Sequence, residues 1–290
     1  MNETNLVEII TETINTLLHN LFSSVENTTY ELLDDLLFLD SSFLKDSFLT
    51  NLFNTNGNNT ILVIANSLLL GFLLYYVIQY FLCSYTFLPI QRPYQFLFKI
   101  LLTFIFMNAS FFLCEKIIFL NSTLSSSIRN LGEILLHKEI CFSSLLSEMN
   151  SIIAITEGNF NLFSIDGIIK SFISIGLFNL VLSYSLRYVM LKVFLLLSPF
   201  AILSLCLSST SWFFKMWLRS FLSLLFLQVL IAIILLILFS MNFESSLLAK
   251  FIYIGGIYAL TRANLFLKEL IGGISTDIQF NFNLMRGTMH

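Results

Sequence analysis

The chain reads as an all-α, polytopic helical membrane protein, and three observations predict it. Hydrophobic residues fill 57% of its 290 positions and charged ones only 11%, a balance that belongs to the membrane class. The apolar residues gather in long runs, and the run from Thr60 to Cys83 carries no charge at all. Runs of roughly 20 residues, at 1.5 Å each, cover a hydrocarbon core of about 30 Å. Backbone polar groups find no water there, so runs this long cross as helices rather than barrel strands. Five or six transmembrane helices are expected, with amphipathic helices outside the membrane.

Residues 1–59 form an acidic segment. Glu3, Glu8, Glu12, Glu26, Glu31, Asp34, Asp35, Asp40 and Asp46 stand against the one base Lys45. Leu6, Ile9, Ile10, Leu17, Leu21 and Val25 recur at helical spacing, which predicts an amphipathic helix. Thr28 and Glu31 have capping-box spacing and start a second helix, with Leu32, Leu33, Leu36, Leu37 and Phe43 on its apolar face. The Asn-Gly-rich stretch Asn54 to Asn59 separates this pair from the membrane part. No basic stretch followed by a short apolar run opens the chain, so the first span is expected to act as its own insertion signal.

Residues 60–120 hold two spans, Thr60 to Cys83 and Phe96 to Leu120, joined through Pro89, Arg92 and Pro93. Residues 121–165 are more polar. Leu124, Ile128, Leu131 and Leu135 form one amphipathic stripe and Phe142, Leu145, Leu146 and Met149 another, suited to a membrane surface or a partner. Residues 166–273 form the C-terminal bundle. Asp166 to Leu207 is long enough for two spans turning near Ser185 to Tyr188, or for one long element; the first gives six spans and the second five. Ser198-Pro199 lies in this stretch, where the proline ring removes a backbone donor and kinks the helix. Trp212 and Trp217 are expected as interface anchors. Ser220 to Asn242 is the most apolar run, and Leu247 to Leu270 is a weaker one. Residues 274–290 are a polar tail.

Lys and Arg in short loops favour the cytoplasmic side. Arg92 with Lys99 therefore places that connection inside and the acidic N-terminus outside the cytoplasm, in a multi-pass cell-membrane protein.

No catalytic constellation is visible, and no enzymatic activity is expected. His19, His137 and His290 are far apart and lack ligand-spaced partners, and the cysteines Cys83, Cys114, Cys141 and Cys206 show no CxxC pairing, so neither metal nor cofactor is expected. The bases are single and dispersed, so no direct nucleic-acid site is evident. What stands out is polarity inside apolar runs. Arg187, Lys192 and Arg262 either line a lumen or subunit contact, or mark membrane boundaries and snorkel. Glu269 is two helical turns from Arg262, which leaves a water-lined lumen or a neighbouring subunit's carboxylate as the expected partner. Gln228 wants an interhelical partner, and Gly255-Gly256 is either a packing notch or a hinge.

The stretch RYVMLKVFLLLSPFAILSL, from Arg187 to Leu205, resembles the basic residue, apolar run and Ser-Pro segment of TrbL-like subunits of conjugative type IV secretion systems. WFFKMWLRSFLSLLFLQVLIAII, from Trp212 to Ile234, is similar to their Trp, basic residue and Phe-rich span with a Gln. IGGIYALTRANLFLKELIGG, from Ile254 to Gly273, is similar to their Gly-containing last hydrophobic segment. The versions it resembles most come from mobile elements of low-GC Gram-positive bacteria. The resemblance covers about the last 110 residues. It implies a channel subunit that forms homo-oligomers, assembles with other secretion-channel membrane subunits and separate ATPases, and aids DNA and protein translocation. Two other classes fit the same composition: a stand-alone secondary transporter or ion channel, and a hydrophobic subunit of an organellar respiratory complex. A transporter would show matching broken helices in two halves, and only one Pro-broken span is present.

Overall fold

The computed structural model describes residues 32–44, 46–53, 60–86, 92–145, 148, 165–241 and 247–272. The first amphipathic helix expected over Leu6 to Val25, the Asn-Gly linker and the polar tail lie outside the described residues. All regular structure among the described residues is helical. Six long helices make the body: α1 (Ile61–Thr86), α2 (Pro93–Asn108), α3 (Ser110–Leu136), α4 (Ile165–Leu203), α5 (Ser211–Ser240) and α6 (Leu247–Ile271). Among the described residues three helical stretches are long and apolar enough to cross a membrane, α1, Ser171–Cys206 (most of α4 and the 3-10 turn after it) and α5, or four if the bent pair α2 and α3 counts as one span. Among the described residues there are thus three or four candidate membrane spans, fewer than the five or six expected.

α1 and α2 form a hairpin. Pro93 opens α2, where its missing N–H costs nothing. Asn66 donates to the Asn108 side chain at 3.3 Å, and Tyr76 stacks on Phe96 with ring centroids 3.6 Å apart. Away from this seam the hairpin stays apolar and exposed, through Leu70, Ile78, Leu82, Phe98, Leu101 and Ile105 among others.

The expected second span is not one rod. It breaks at Ala109, with α2 and α3 bent by 59°. α3 then runs straight through the expected boundary at 120 and 121 and ends at Leu136, beyond which His137 takes the left-handed conformation at φ 54°. Leu124, Leu131 and Leu135 point outward, while Ser110, Cys114, Ile118, Asn121, Ser125 and Gly132 are buried. Small residues let helix backbones approach closely. A Cβ added at Gly132 would lie 2.6 Å from Ile140 Cγ1 and 2.8 Å from Leu236 Cδ1.

α4 is a single helix of 39 residues, about 58 Å long at 1.5 Å per residue. The turn expected at Ser185 to Tyr188, and with it the six-span count, is therefore corrected. The polar residues there made a turn look necessary, but Ser183, Tyr184 and Arg187 are buried against neighbouring helices. α5 packs on α3, α4 and α6, and α6 packs on α4. Gly256 of α6 is a packing notch: a Cβ there would meet Leu238 Cδ2 at 2.6 Å. Ile169, Ile173, Leu177, Leu227, Ile231, Tyr253, Ile257 and Leu260 build the core of this bundle.

Candidate functional site

Residues 32–53 carry four acids, Asp34, Asp35, Asp40 and Asp46, that suggest a solvated segment, yet they thread into the bundle. A helical stretch at 32–37 buries Leu33 and Leu37 against Ile140, Phe142 and Tyr184. The chain then loses helical form at 38–40 and continues through a short 3-10 turn, Ser41–Leu44, and a helix, Ser47–Leu52. Leu39, Phe43, Leu44, Leu49 and Phe53 join Leu191, Leu195, Trp217 and Phe221 in a second apolar cluster.

Irregular backbone among apolar helices needs donors for its carbonyls. The structure brings them from two helices, α4 and α5, with a supporting amide from α3. Arg187 of α4 is 0% exposed; its Nη1 donates to Leu37 O at 3.0 Å and its Nε to Leu224 O of α5 at 2.8 Å. Gln228 of α5 donates from Nε2 to Leu39 O at 3.4 Å and accepts at Oε1 from Asn121 Nδ2 of α3, also at 3.4 Å. Lys192, just over one turn beyond Arg187, pairs with Asp46 at 2.8 Å. Its Nζ also sits 5.0 Å from the Tyr188 ring and 5.6 Å from the Phe43 ring, and these two rings meet edge to face at 4.9 Å. The ammonium beside Asp46 holds that carboxyl below its usual range.

The upstream end is fastened differently. Asp34 Oδ1 accepts from Phe142 N at 2.9 Å and Oδ2 from Ser143 N at 3.4 Å, capping the helical turn at 142–145. Arg129 donates from Nε to Ile140 O at 2.8 Å and lies 4.2 Å from the Phe38 ring. Burial pushes the Asp34 carboxyl upward, against the opposing pull of those two amides and of Arg129.

Two polar atoms in this seat have no hydrogen-bond partner among the described residues: Arg187 Nη2 and Asn121 Oδ1. The arrangement thus binds main chain through two carbonyls and binds one carboxylate at its rim, with donor capacity left over.

Of the residues singled out by the sequence, Arg187, Lys192 and Gln228 come together on this one segment. Arg187 takes backbone carbonyls of its own chain, Leu37 O and Leu224 O, as partners. Arg262 is elsewhere, exposed on α6 and donating to Tyr258 Oη at 3.2 Å. Gly255 is exposed, with nothing within 4 Å of an added Cβ, so only Gly256 serves as the notch. Ser198 and Pro199 are buried near the C-terminal end of α4, Ser198 beside the Cys114 thiol. Trp212 is exposed at the start of α5. Trp217, expected as a second interface anchor, is instead buried: it stacks on Phe221 at 5.3 Å and donates from Nε1 to Phe194 O at 2.8 Å. That carbonyl neighbours Leu195 O, whose helical donor Pro199 lacks.

Sequence reasoning missed Asn121, Leu37 and Leu39. Asn121 had a signal, since it shares a helical face with Ser110, Cys114 and Ser125. The two leucines act through backbone oxygens and had none. No protein-family model, no curated protein and no solved structure matches the chain.

Proposed function

We propose that the chain is a channel-scaffold subunit of a conjugative type IV secretion machine in the cell membrane of a low-GC Gram-positive host. It would form homo-oligomers, sit beside the other channel subunits and their ATPases, and aid DNA and protein passage without catalysis of its own. The resemblance over Arg187 to Gly273 suggests the class. The observation that carries the reading is the apolar exterior: α1, α2 and the outward face of α3 leave large aliphatic and aromatic side chains uncovered on several sides. A scaffold subunit needs such surfaces for lipid and for neighbouring subunits. The polar groups, meanwhile, are spent on fixing the chain's own segment in place. In this reading the acidic N-terminus lies outside the cytoplasm.

The test is an in-frame deletion in the mobile element that encodes the chain. Transfer should be abolished and restored by the gene in trans, and native gels of solubilised membranes should show the tagged chain in a large complex with the coupling and assembly ATPases. Normal transfer from the deletion strain would overturn the proposal. Ion or solute flux from proteoliposomes holding this chain alone would favour the transporter class instead.

A further inference from the structure

The seat of residues 37–46 is unusual in what it reads. It takes the carbonyls of Leu37 and Leu39, two residues apart, where the helix has ended. Recognition through main-chain oxygens does not depend on side-chain identity. Apolar sockets beside it take Leu39, Phe43 and Leu44. At the rim, Lys192 takes a carboxylate, its cation flanked by two aromatic rings.

The occupant fits the seat incompletely. Arg187 and Lys192 bring two cations, and among the described residues the one carboxylate bound to them is Asp46 at Lys192. Arg187 is fully buried with Nη2 unused among the described residues, and Asn121 Oδ1 beside Gln228 is unused too. A fully buried guanidinium served only by carbonyls is poorly compensated, because a carboxylate matches its planar fork with two bonds. The rim bond is also exposed to competition: the Lys192 and Asp46 side chains keep 25% and 36% of their surface.

We propose that Asn121, Arg187, Lys192 and Gln228 form a binding site for an acidic polypeptide segment with free main-chain carbonyls, which the chain's own residues 37–46 occupy as an exchangeable plug. An incoming segment with an acid near the Arg187 end would use the idle Nη2 and displace the plug. Partner or cargo polypeptides of that chemistry are the ligands. The inference stands apart from the secretion reading, because it concerns only this site and is tested on the purified chain.

The probe is a fluorescent synthetic peptide of residues 36–47, together with versions whose aspartates are changed to asparagine. The full chain in detergent micelles is followed by hydrogen–deuterium exchange over residues 36–46 and by peptide anisotropy. Added peptide should raise exchange of the chain's own segment saturably. Asp46→Asn in the chain should open the plug and strengthen peptide binding about tenfold, the scale of one charge-assisted bond. The all-asparagine peptide should bind about tenfold more weakly than the native one. In the Asp46→Asn background, Arg187→Met and Lys192→Gln should each weaken binding, and Lys192→Gln lies at the rim, where folding is least at risk. Unchanged exchange with saturating peptide and in Asp46→Asn would show a fixed part of the fold and overturn the proposal. Equal binding of the native and asparagine peptides would overturn the acidic ligand class.

Discussion

Replacing Arg187 separates two energies that its position combines. The side chain is fully buried and gives Nη1 to Leu37 O and Nε to Leu224 O. Leu224 O lies inside a helix and has its own helical donor, whereas Leu37 O ends a short helix and depends on Arg187. Lysine carries a single nitrogen that cannot span both carbonyls. Losing one charge-assisted bond costs about 1.5–3 kcal/mol, and each 1.4 kcal/mol or so is tenfold in an equilibrium. Arg187→Lys should therefore raise the opening of residues 36–44 by about 10- to 100-fold. Arg187→Leu loses both bonds and strands Leu37 O, at about 1–3 kcal/mol for a buried orphan acceptor. It also removes a buried charge, and apolar replacement of buried ionic groups is often neutral or stabilising. The bundle should then melt near the wild-type temperature in detergent while its N-terminal segment comes loose. Hydrogen exchange resolved to residues 36–44, read beside the melting curve, distinguishes the two. Wild-type protection of that segment in both variants would refute the reasoning, as would global unfolding with the segment still protected at temperatures below the melt.

Other outcomes follow from the same contacts. Gly255→Ala should leave the melting temperature unchanged or raised, because nothing lies within 4 Å of the new methyl and alanine is the better helix former by about 1 kcal/mol. Gly256→Val should lower it, since Leu238 already sits 2.6 Å from the Cβ position; equal effects at the two glycines would remove the notch. Trp217→Phe keeps the stacking on Phe221 but deletes the bond to Phe194 O, and should cost about 1 kcal/mol, with Trp217→Ala costing about 3 or more. A surface anchor would lose little in either variant when assayed in detergent. The two carboxylates should respond to pH with opposite sign. Asp46 has its pKa lowered by Lys192, so its contribution is complete above the ordinary 3.8 and is lost as pH falls through the lower docked value. Asp34 has its pKa raised by burial, so its contribution is complete below 3.8 and is lost as pH rises through the higher docked value. Asp46→Asn should thus destabilise at neutral pH and match wild type in strong acid. Asp34→Asn should equal or exceed wild type at neutral pH. Melting curves across the acid-to-neutral range check both.

Periodicity marked the apolar stripe of α3 but not the face that packs behind it, and the reason is physical. In water the apolar stripe of a helix marks the inside. In a bilayer the surroundings are apolar as well, so Leu124, Leu131 and Leu135 gain nothing by turning inward, and the small and polar face of Ser110, Cys114, Asn121, Ser125 and Gly132 packs instead. The same rule explains Ser183, Tyr184 and Arg187 in α4. A polar patch in a long apolar run looked like a loop because loops are where water satisfies polar groups. Here Leu260 O of α6 accepts from Tyr184, and Leu224 O and Leu37 O accept from Arg187, so the helix continues. Gly256 was legible because a glycine needs no sense of direction to make a notch. Its neighbour Gly255 was not, since two adjacent helical positions point about 100° apart and only one can face Leu238.

The candidate site was half legible for a related reason. Arg187, Lys192 and Gln228 stood out because charge and amide groups are costly in an apolar run. Their common target did not, because it is main chain, and every residue carries the same carbonyl. Cost alone therefore identifies the donors but not the acceptor. The acceptor has to come from a segment that lacks its own hydrogen bonds and is apolar enough to be buried. In this chain, the stretch 37–39 meets both conditions: the helix stops at Leu37, and Leu37 and Leu39 are buried. Three polar residues on α4 and α5 and one non-helical apolar stretch were each anomalous alone. They are complementary, since unpaired donors and unpaired acceptors can both be buried only if they are buried together.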